Sequence, residues 1–256
     1  APATTPAGSL RGEIHARDLC FSYRGGPTVL QSVSFHFPAG VRVGICGPSG
    51  AGKTTLLCLL LRFYPPGSGT LLFDGRSIND YRAHDLRRRL GYVPQVPLLI
   101  SGTIAENVRF GNSQTTEAEI IALARELGVD DWVRILPQGY ATPVSEAGAN
   151  FSEGQKQRLG LIRALVRDPD ILILDEPGAM LDGIASQHIL TYLSSAGRRR
   201  TTLIVTHDPL WLEHTDTILW FPEPGKVVQD THQNLVATSS PYRNLLGITR
   251  AIESAG

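Results

Sequence analysis

Eight consecutive residues, Gly47-Pro-Ser-Gly-Ala-Gly-Lys-Thr54, have the types and spacing G-x-x-x-x-G-K-[ST] of a loop that binds phosphate. Backbone N–H groups of such a loop point inward and, with the positive end of the following helix dipole, cradle the β-phosphate of a nucleotide. Gly47, Pro48, Ser49, Gly50, Ala51 and Gly52 form the cradle, Lys53 reaches the β/γ oxygens, Thr54 offers its hydroxyl to Mg²⁺, and Thr55 opens the helix. Only three of the 24 basic residues are lysines (Lys53, Lys156, Lys226), which makes a chance match of this form remote. Transfer of a phosphoryl group to water needs positioning and charge neutralisation more than covalent chemistry. Two further clusters meet that need. Asp175 is suited to hold Mg²⁺ or its waters, Glu176 to orient or deprotonate the attacking water, and His207 to hydrogen-bond the γ-phosphate.

These residues all follow apolar runs. Val41 to Cys46 delivers the chain into the loop, and Thr55 to Phe63 reads as the helix after it. Ile171 to Leu174 is a continuous apolar run ending in Asp175-Glu176, Thr201 to Val205 ends in Thr206-His207-Asp208, and Thr217 to Phe221 is another such run. Runs of this kind are strands of a parallel sheet buried on both faces, and their C-terminal ends gather at one edge. Lys53, Asp175, Glu176 and His207 are therefore expected to converge. Gly12 to Tyr23 and Val29 to Phe37 alternate apolar and polar residues as half-exposed antiparallel strands, and Asp74-Gly75 signals a hairpin after a strand at Thr70 to Phe73. Pro65 to Gly69 reads as a turn, Arg82 to Leu90 as a helix and Tyr92 to Gln95 as the exit from a short strand. From Gly102 to about Leu165 the pattern is mostly helical, clearest at Glu117 to Leu127. In the helix from Gly154 to Arg167, Leu159, Ile162, Leu165 and Val166 line one face, and Lys156, Gln157, Arg158, Arg163 and Arg167 the other.

The fold class expected is α/β: a P-loop NTPase (RecA-like) core with an N-terminal antiparallel β subdomain and an inserted α-helical subdomain. Its 256 residues, 42% apolar, suffice for a real core. A formal net charge of zero gives no electrostatic footprint for nucleic acid. The Arg87 to Arg89 and Arg198 to Arg200 triplets read as solvated helix ends. Cys20, Cys46 and Cys58 read as buried, reduced thiols of a cytoplasmic protein, and the histidines lack ligand spacing. No run approaches the ~20 apolar residues of a membrane span and no signal peptide is evident. Residues 1–11, rich in Ala, Pro, Thr and Gly, read as a linker.

With these motifs in order, the chain resembles the nucleotide-binding domain of ATP-binding cassette (ABC) transporters from about Gly12 to Leu246. Phe151-Ser-Glu-Gly-Gln155 is similar to the signature L-S-G-G-Q, twenty residues ahead of Asp175 as the family spaces it. Ala179-Met-Leu-Asp182 resembles the D-loop S-A-L-D. The resemblance implies that Tyr23 stacks on adenine, that Gln95 touches Mg²⁺ and senses a membrane partner, and that His207 is the switch histidine. It also implies that Ser152, Gly154, Gln155 and Asp182 contribute to an ATP site shared by two cassettes paired head to tail. Ile100 to Gly111 and Thr142 to Gly148 are similar to segments of exporter cassettes, the latter departing from T-x-V-G-E-x-G at Ser145 and Ala147; Gly225 to Gln229 with His232 resembles their tail.

The implied organisation is a cassette over 12–248, with the β subdomain and RecA-like core at about 12–95 and 168–248, the helical subdomain at about 96–167, and a tail at 249–256. The implied activity is Mg²⁺-dependent ATP hydrolysis powering export, with an exporter transmembrane domain, fused upstream, and a second cassette as partners, at the cytoplasmic face of the inner membrane, the chain itself being soluble. A low-turnover nucleotide-gated module of a heterodimeric transporter and a soluble ABC ATPase remain open alternatives; a GTPase is disfavoured because no N-K-x-D motif is present. Glu153 replaces a signature glycine. A carboxylate ~7 Å from a γ-phosphate at an effective dielectric of ~20 is repelled by about 2 kcal/mol, partly offset by the helix dipole.

Overall fold

The computed structural model describes residues 8–112, 114–196 and 200–248. In chain order, β1 (Ile14–Ser22) and β2 (Thr28–Phe37) lead to β3 (Arg42–Cys46), the phosphate loop and α1 (Lys53–Leu60). β4 (Ser68–Phe73), β5 (Arg76–Ser77), α2 (Ala83–Arg89) and β6 (Leu90–Val93) follow. The next block holds β7 (Gly102–Thr103), α3 (Ile104–Arg109), α4 (Glu117–Glu126), α5 (Asp130–Arg134), β8 (Pro143–Val144) and α6 (Glu153–Leu165). The chain then returns through β9 (Ile171–Asp175), α7 (Gly183–Ala196), β10 (Thr201–Val205), α8 (Pro209–Glu213), β11 (Thr217–Trp220), β12 (Val228–Asp230), α9 (His232–Thr238) and α10 (Ser240–Leu246).

Two larger sheets result. The antiparallel sheet has the order β2-β1-β4-β5, with Ile14 opposite Phe37 on one side and Phe73 on the other. The second sheet has the order β12-β11-β3-β10-β9-β6, parallel except for the edge strand β12. Its central strands are buried on both faces except at Arg42 and Asp175, which are partly covered. Val43, Ile45, Ile171, Ile173, Leu203 and Val205 enter the core shared with the antiparallel sheet and α1. Leu172, Leu174 and Ile204 point the other way, into a core closed by α3, α4, α6 and α7. The fold class read from the sequence is therefore the observed one.

The sheets are tied by long-range polar contacts. Gln229 accepts from the His36 N–H at 3.0 Å and donates to the His36 carbonyl at 2.8 Å, linking β12 to β2. The Gly225 N–H donates to the Ala51 carbonyl and the Gly225 carbonyl accepts from Gln31, so β2 supports the phosphate loop through this turn.

Several local expectations need correction. Gln157 is not on a solvated face; it is only 3% exposed, because α6 is packed on both sides. Arg200 is buried and its guanidinium donates to Asp168 at 2.9 Å, so it is not a solvated helix end, whereas Arg87 to Arg89 do close α2 with Arg87 and Arg88 exposed; Arg198 and Arg199 lie outside the described residues. Cys46 is buried, but Cys20 and Cys58 are only partly covered. The block from Gly102 is mostly helical, as expected, with α3 to α6, and adds one short antiparallel ladder between β7 and β8. β4 begins at Ser68, inside the expected turn. Of the expected linker, Leu10 already packs in the core, and residues 1–7, like the tail at 249–256, lie outside the described residues.

Asp74, at the hairpin, anchors this N-terminal stretch. Its carboxylate accepts from the backbone N–H groups of Arg11, Gly12 and Glu13 at 2.7, 3.1 and 2.9 Å, and its own φ is +50°. Asp tolerates that left-handed conformation better than Ala and charge-assisted bonds are the stronger kind. Asp74→Ala is therefore expected to cost about 2 kcal/mol, read as a lower urea midpoint with an unchanged slope.

Candidate functional site at the sheet edge

β3, β10 and β9 run in register, so that Ile45, Val205 and Asp175 form one row across the sheet. The pairing continues past the strand ends: the Thr206 N–H donates to Ile45 at 3.1 Å, and the Glu176 N–H to Val205 at 2.8 Å. The phosphate loop, the two carboxylates and His207 consequently leave the sheet side by side.

In the loop, Gly50 and Gly52 have φ of +77° and +110°, values that a side chain would strain, and Gly52 directly precedes α1. Ala51 is buried while Ser49 and Thr54 are exposed. Lys53, the first residue of α1, donates from Nζ to the Gly47 and Pro48 carbonyls at 2.6 and 2.9 Å. Its ammonium is thereby folded over the loop. Burial pushes its pKa down, against the opposing pull of Glu176, Cys46 and Asp175. Burial pushes Asp175 up instead, with the Tyr92 hydroxyl bond and Lys53 opposing. That hydroxyl lies 3.4 Å from Asp175 Oδ2, and Tyr92, on the neighbouring strand β6, is a contact that the sequence alone did not single out.

Glu176 adopts φ +48°, uncommon for a residue with a Cβ, and its Oε1 lies 3.2 Å from His207 Nδ1. The carboxylate is largely covered and the imidazole largely exposed, with side-chain exposures of 18% and 69%. A left-handed residue just past a strand turns its side chain out of the strand's alternation, here toward the end of β10. Gln95 is exposed two residues beyond β6, at the same edge. Tyr23, 38% exposed just after β1, shares a hydrogen bond with Thr55 Oγ1 at 3.1 Å and meets Phe21 and Tyr64 edge-on. It thus stands beside α1 with much of its ring open.

The signature-like residues sit apart, at the start of α6. Ser152 is a helix cap: its Oγ accepts from the Gln155 N–H, and the Gln155 side chain accepts from the Ser152 N–H. Among the described residues no hydrogen bond joins Ser152, Gly154 or Gln155 to residues 47–54. Glu153 is paired with Lys156 Nζ at 2.7 Å, so the carboxylate expected to repel phosphate is already offset by an adjacent ammonium. Asp182 caps α7 by accepting from the Ala185 N–H at 2.7 Å. Residue 154 lies against the Met180 carbonyl, which brings the start of α6 to the segment that carries Asp182.

Oxygen donors suit Mg²⁺. The exposed Thr54 hydroxyl and the Asp175 carboxylate supply them, and Asp175, raised toward protonation by burial, is a carboxylate that a cation would stabilise in its charged form.

The sequence profile of the family described as "ABC transporter" matches residues 30–179. The chain is 40% identical over 233 residues to the "ABC multidrug transporter mdr2" of Aspergillus fumigatus, covering 90% of this chain and 29% of that protein. It is 36% identical over 236 residues to the "ATP-dependent lipid A-core flippase" of Saccharophagus degradans, covering 92% and 40%. A solved "bacterial Atm1-family ABC exporter with ATP bound" superposes with a TM-score of 0.91 at 35% identity, over 96% of this chain and 44% of that one. The chain thus spans 29 to 44% of the length of these relatives. A phosphate loop, a carboxylate pair and a histidine at one sheet edge, a signature-like helix, and a family match over more than half the sequence identify the chain as an ATP-binding, ATP-hydrolysing domain of the ABC transporter family.

Proposed function

We propose that this domain is the motor of a membrane exporter, driven by ATP hydrolysis in a head-to-tail pair of cassettes. The observation that carries the reading is the convergence of Lys53, Asp175, Glu176 and His207 on one edge, with Glu176 and His207 in hydrogen-bond contact. The multidrug-transporter and flippase names of the relatives and the ATP-bound exporter of the same fold support it. In this reading the cassette covers 12–248, its helical part is about 96–167, and it works at the cytoplasmic face beneath a transmembrane domain. No helix among the described residues is long and apolar enough to cross a membrane.

The loop 47–54 binds the phosphates of ATP and Tyr23 stacks on adenine. Lys53 leaves the loop carbonyls for the β/γ oxygens, exchanging neutral acceptors for charged ones. Thr54, Gln95 and Asp175 would hold Mg²⁺, which when bound would supply charge neutralisation. Glu176 orients the attacking water and draws its proton while the bond between the γ-phosphorus and the bridging oxygen breaks, releasing ADP and inorganic phosphate. His207, exposed beside Glu176, hydrogen-bonds the γ-phosphate. Ser152, Gly154, Gln155 and Asp182 act on the ATP of the opposite cassette.

Lys53 contacts phosphates in the ground state, whereas Glu176 meets only the attacking water. Lys53→Ala should therefore abolish most ATP binding. Glu176→Gln should keep binding but cut turnover by about two orders of magnitude or more, and light scattering should show a dimer with ATP and a monomer without it. Wild-type turnover in Glu176→Gln would remove the assignment.

The Glu153–Lys156 pair gives a second test, on affinity. With Lys156 in place, Glu153→Gly should change the ATP concentration for half-maximal turnover by less than the ~30-fold that an unscreened 2 kcal/mol implies. Lys156→Ala should raise that concentration, and Glu153→Gly should restore it in the double variant. An unaltered ATP dependence in Lys156→Ala would show that the carboxylate does not face phosphate.

A further inference from the structure

We propose that Trp211 is a positioning residue for Glu176 and His207, acting by wedging its indole against the bare backbone of Gly178. The inference rests on the roles given above to those two side chains. Glu176 and His207 stand at the heads of two separate arms, residues 176–182 after β9 and residues 206–213 after β10, the second containing α8. Their own contact is one 3.2 Å hydrogen bond between a largely exposed imidazole and a carboxylate. A bond of that kind does not fix the spacing of two loops.

A second contact sits behind it. Trp211 on α8 is fully buried in the core that also holds Leu174 of β9 and Ile204 of β10. Its pyrrole edge lies on Gly178: a Cβ at that position would fall well inside van der Waals distance of Nε1, and 3.1 and 3.2 Å from Cδ1 and Cε2. Gly178 is not among the residues with positive φ, so its backbone accepts any side chain. It is the indole that requires glycine there. The indole N–H has no hydrogen-bond partner among the described residues, so packing alone sets the ring's place.

Both arms are rigid enough to transmit that contact. In the first, the Ala179 N–H donates to the Glu176 carbonyl and the Leu181 N–H to the Gly178 carbonyl, giving a tight turn over 176–181. In the second, Asp208 caps α8 by accepting from Leu210, its own N–H donates to Thr206 Oγ1, and Pro209 opens the helix. The wedge therefore sets how far the Glu176 arm stands from the His207 arm, two residues from Glu176 on one side and four from His207 on the other. Because Gly178 is also two residues before Met180, whose carbonyl abuts Gly154, the same contact fixes the segment that leads to Asp182.

The test is a double-mutant cycle of ATP turnover on Gly178→Ala, Trp211→Leu and the double variant, with ATP affinity read by a fluorescent ATP analogue and folding by thermal melting. Gly178→Ala should lower kcat about tenfold or more while leaving KM and nucleotide affinity within about twofold of wild type. Trp211→Leu should also lower kcat at unchanged KM, because the arms loosen. In the double variant the added Cβ meets no indole, so kcat should match that of Trp211→Leu instead of falling further. Wild-type kcat in either single variant, or additive losses in the double, would overturn the inference. Glu176→Gln measured alongside separates the two levels: if it stalls while Gly178→Ala is silent, only the wedge is wrong, and if it turns over normally the assignment of Glu176 falls and the wedge with it.

Discussion

The row formed by Ile45, Val205 and Asp175 is the constraint on which the site depends. Side chains alternate along a strand, so a slip of one residue in either pairing would turn the post-strand carboxylates or the histidine away from the loop. The register is held because each strand is apolar on both faces and each face has its own core. Ile173 and Val205 bury toward the antiparallel sheet and α1; Leu174 and Ile204 bury toward the helical block. Pairing beyond the strands, from Thr206 to Ile45 and from Glu176 to Val205, carries the register into the chemical segments themselves.

That edge concentrates groups that burial disfavours in their charged forms. Lys53 is pushed down and Asp175 up, in each case chiefly by loss of water, and the attraction between them opposes both shifts without cancelling them. The left-handed backbone of Glu176 adds strain at the same place. Desolvated charges and strain together favour binding of a highly charged ligand that brings both signs. A nucleotide with its Mg²⁺, as in the proposed function, would satisfy that description: anionic phosphate would answer Lys53 and the cation would answer Asp175.

The sheet and its edge were legible because they rest on local signals: apolar runs of strand length, a glycine-bearing loop before a helix, and polar residues directly after strands. What was not legible depends on contacts between distant segments. Gln157 looked polar by period, yet α6 has core on more than one side. Arg200 looked like part of a solvated run, yet it folds onto Asp168, thirty-two positions away. The Tyr92 contact with Asp175 requires knowing that β6 and β9 are neighbours, an order that sequence proximity does not supply. Glu153 is a middle case, since Lys156 three residues later is the spacing of a helical ion pair and could have been read beside it.

The placement of the signature-like helix bears on how the site is completed. Ser152 and Gln155 satisfy each other as a capping box, and the start of α6 meets Met180 and Leu181 rather than the phosphate loop. A capped helix N-terminus still carries its dipole and further backbone N–H groups, so it remains suited to an anion, but no hydrogen bond within the described chain brings it to the loop. The loop and the signature-like helix are thus built on separate supports, the loop on β3 and α1, the helix on the inserted block. In the proposed pair of cassettes each copy supplies one of the two to each ATP. The Glu153–Lys156 pair then has a physical meaning: a local ammonium lets a carboxylate stand at that helix start without presenting net negative charge to the opposite γ-phosphate.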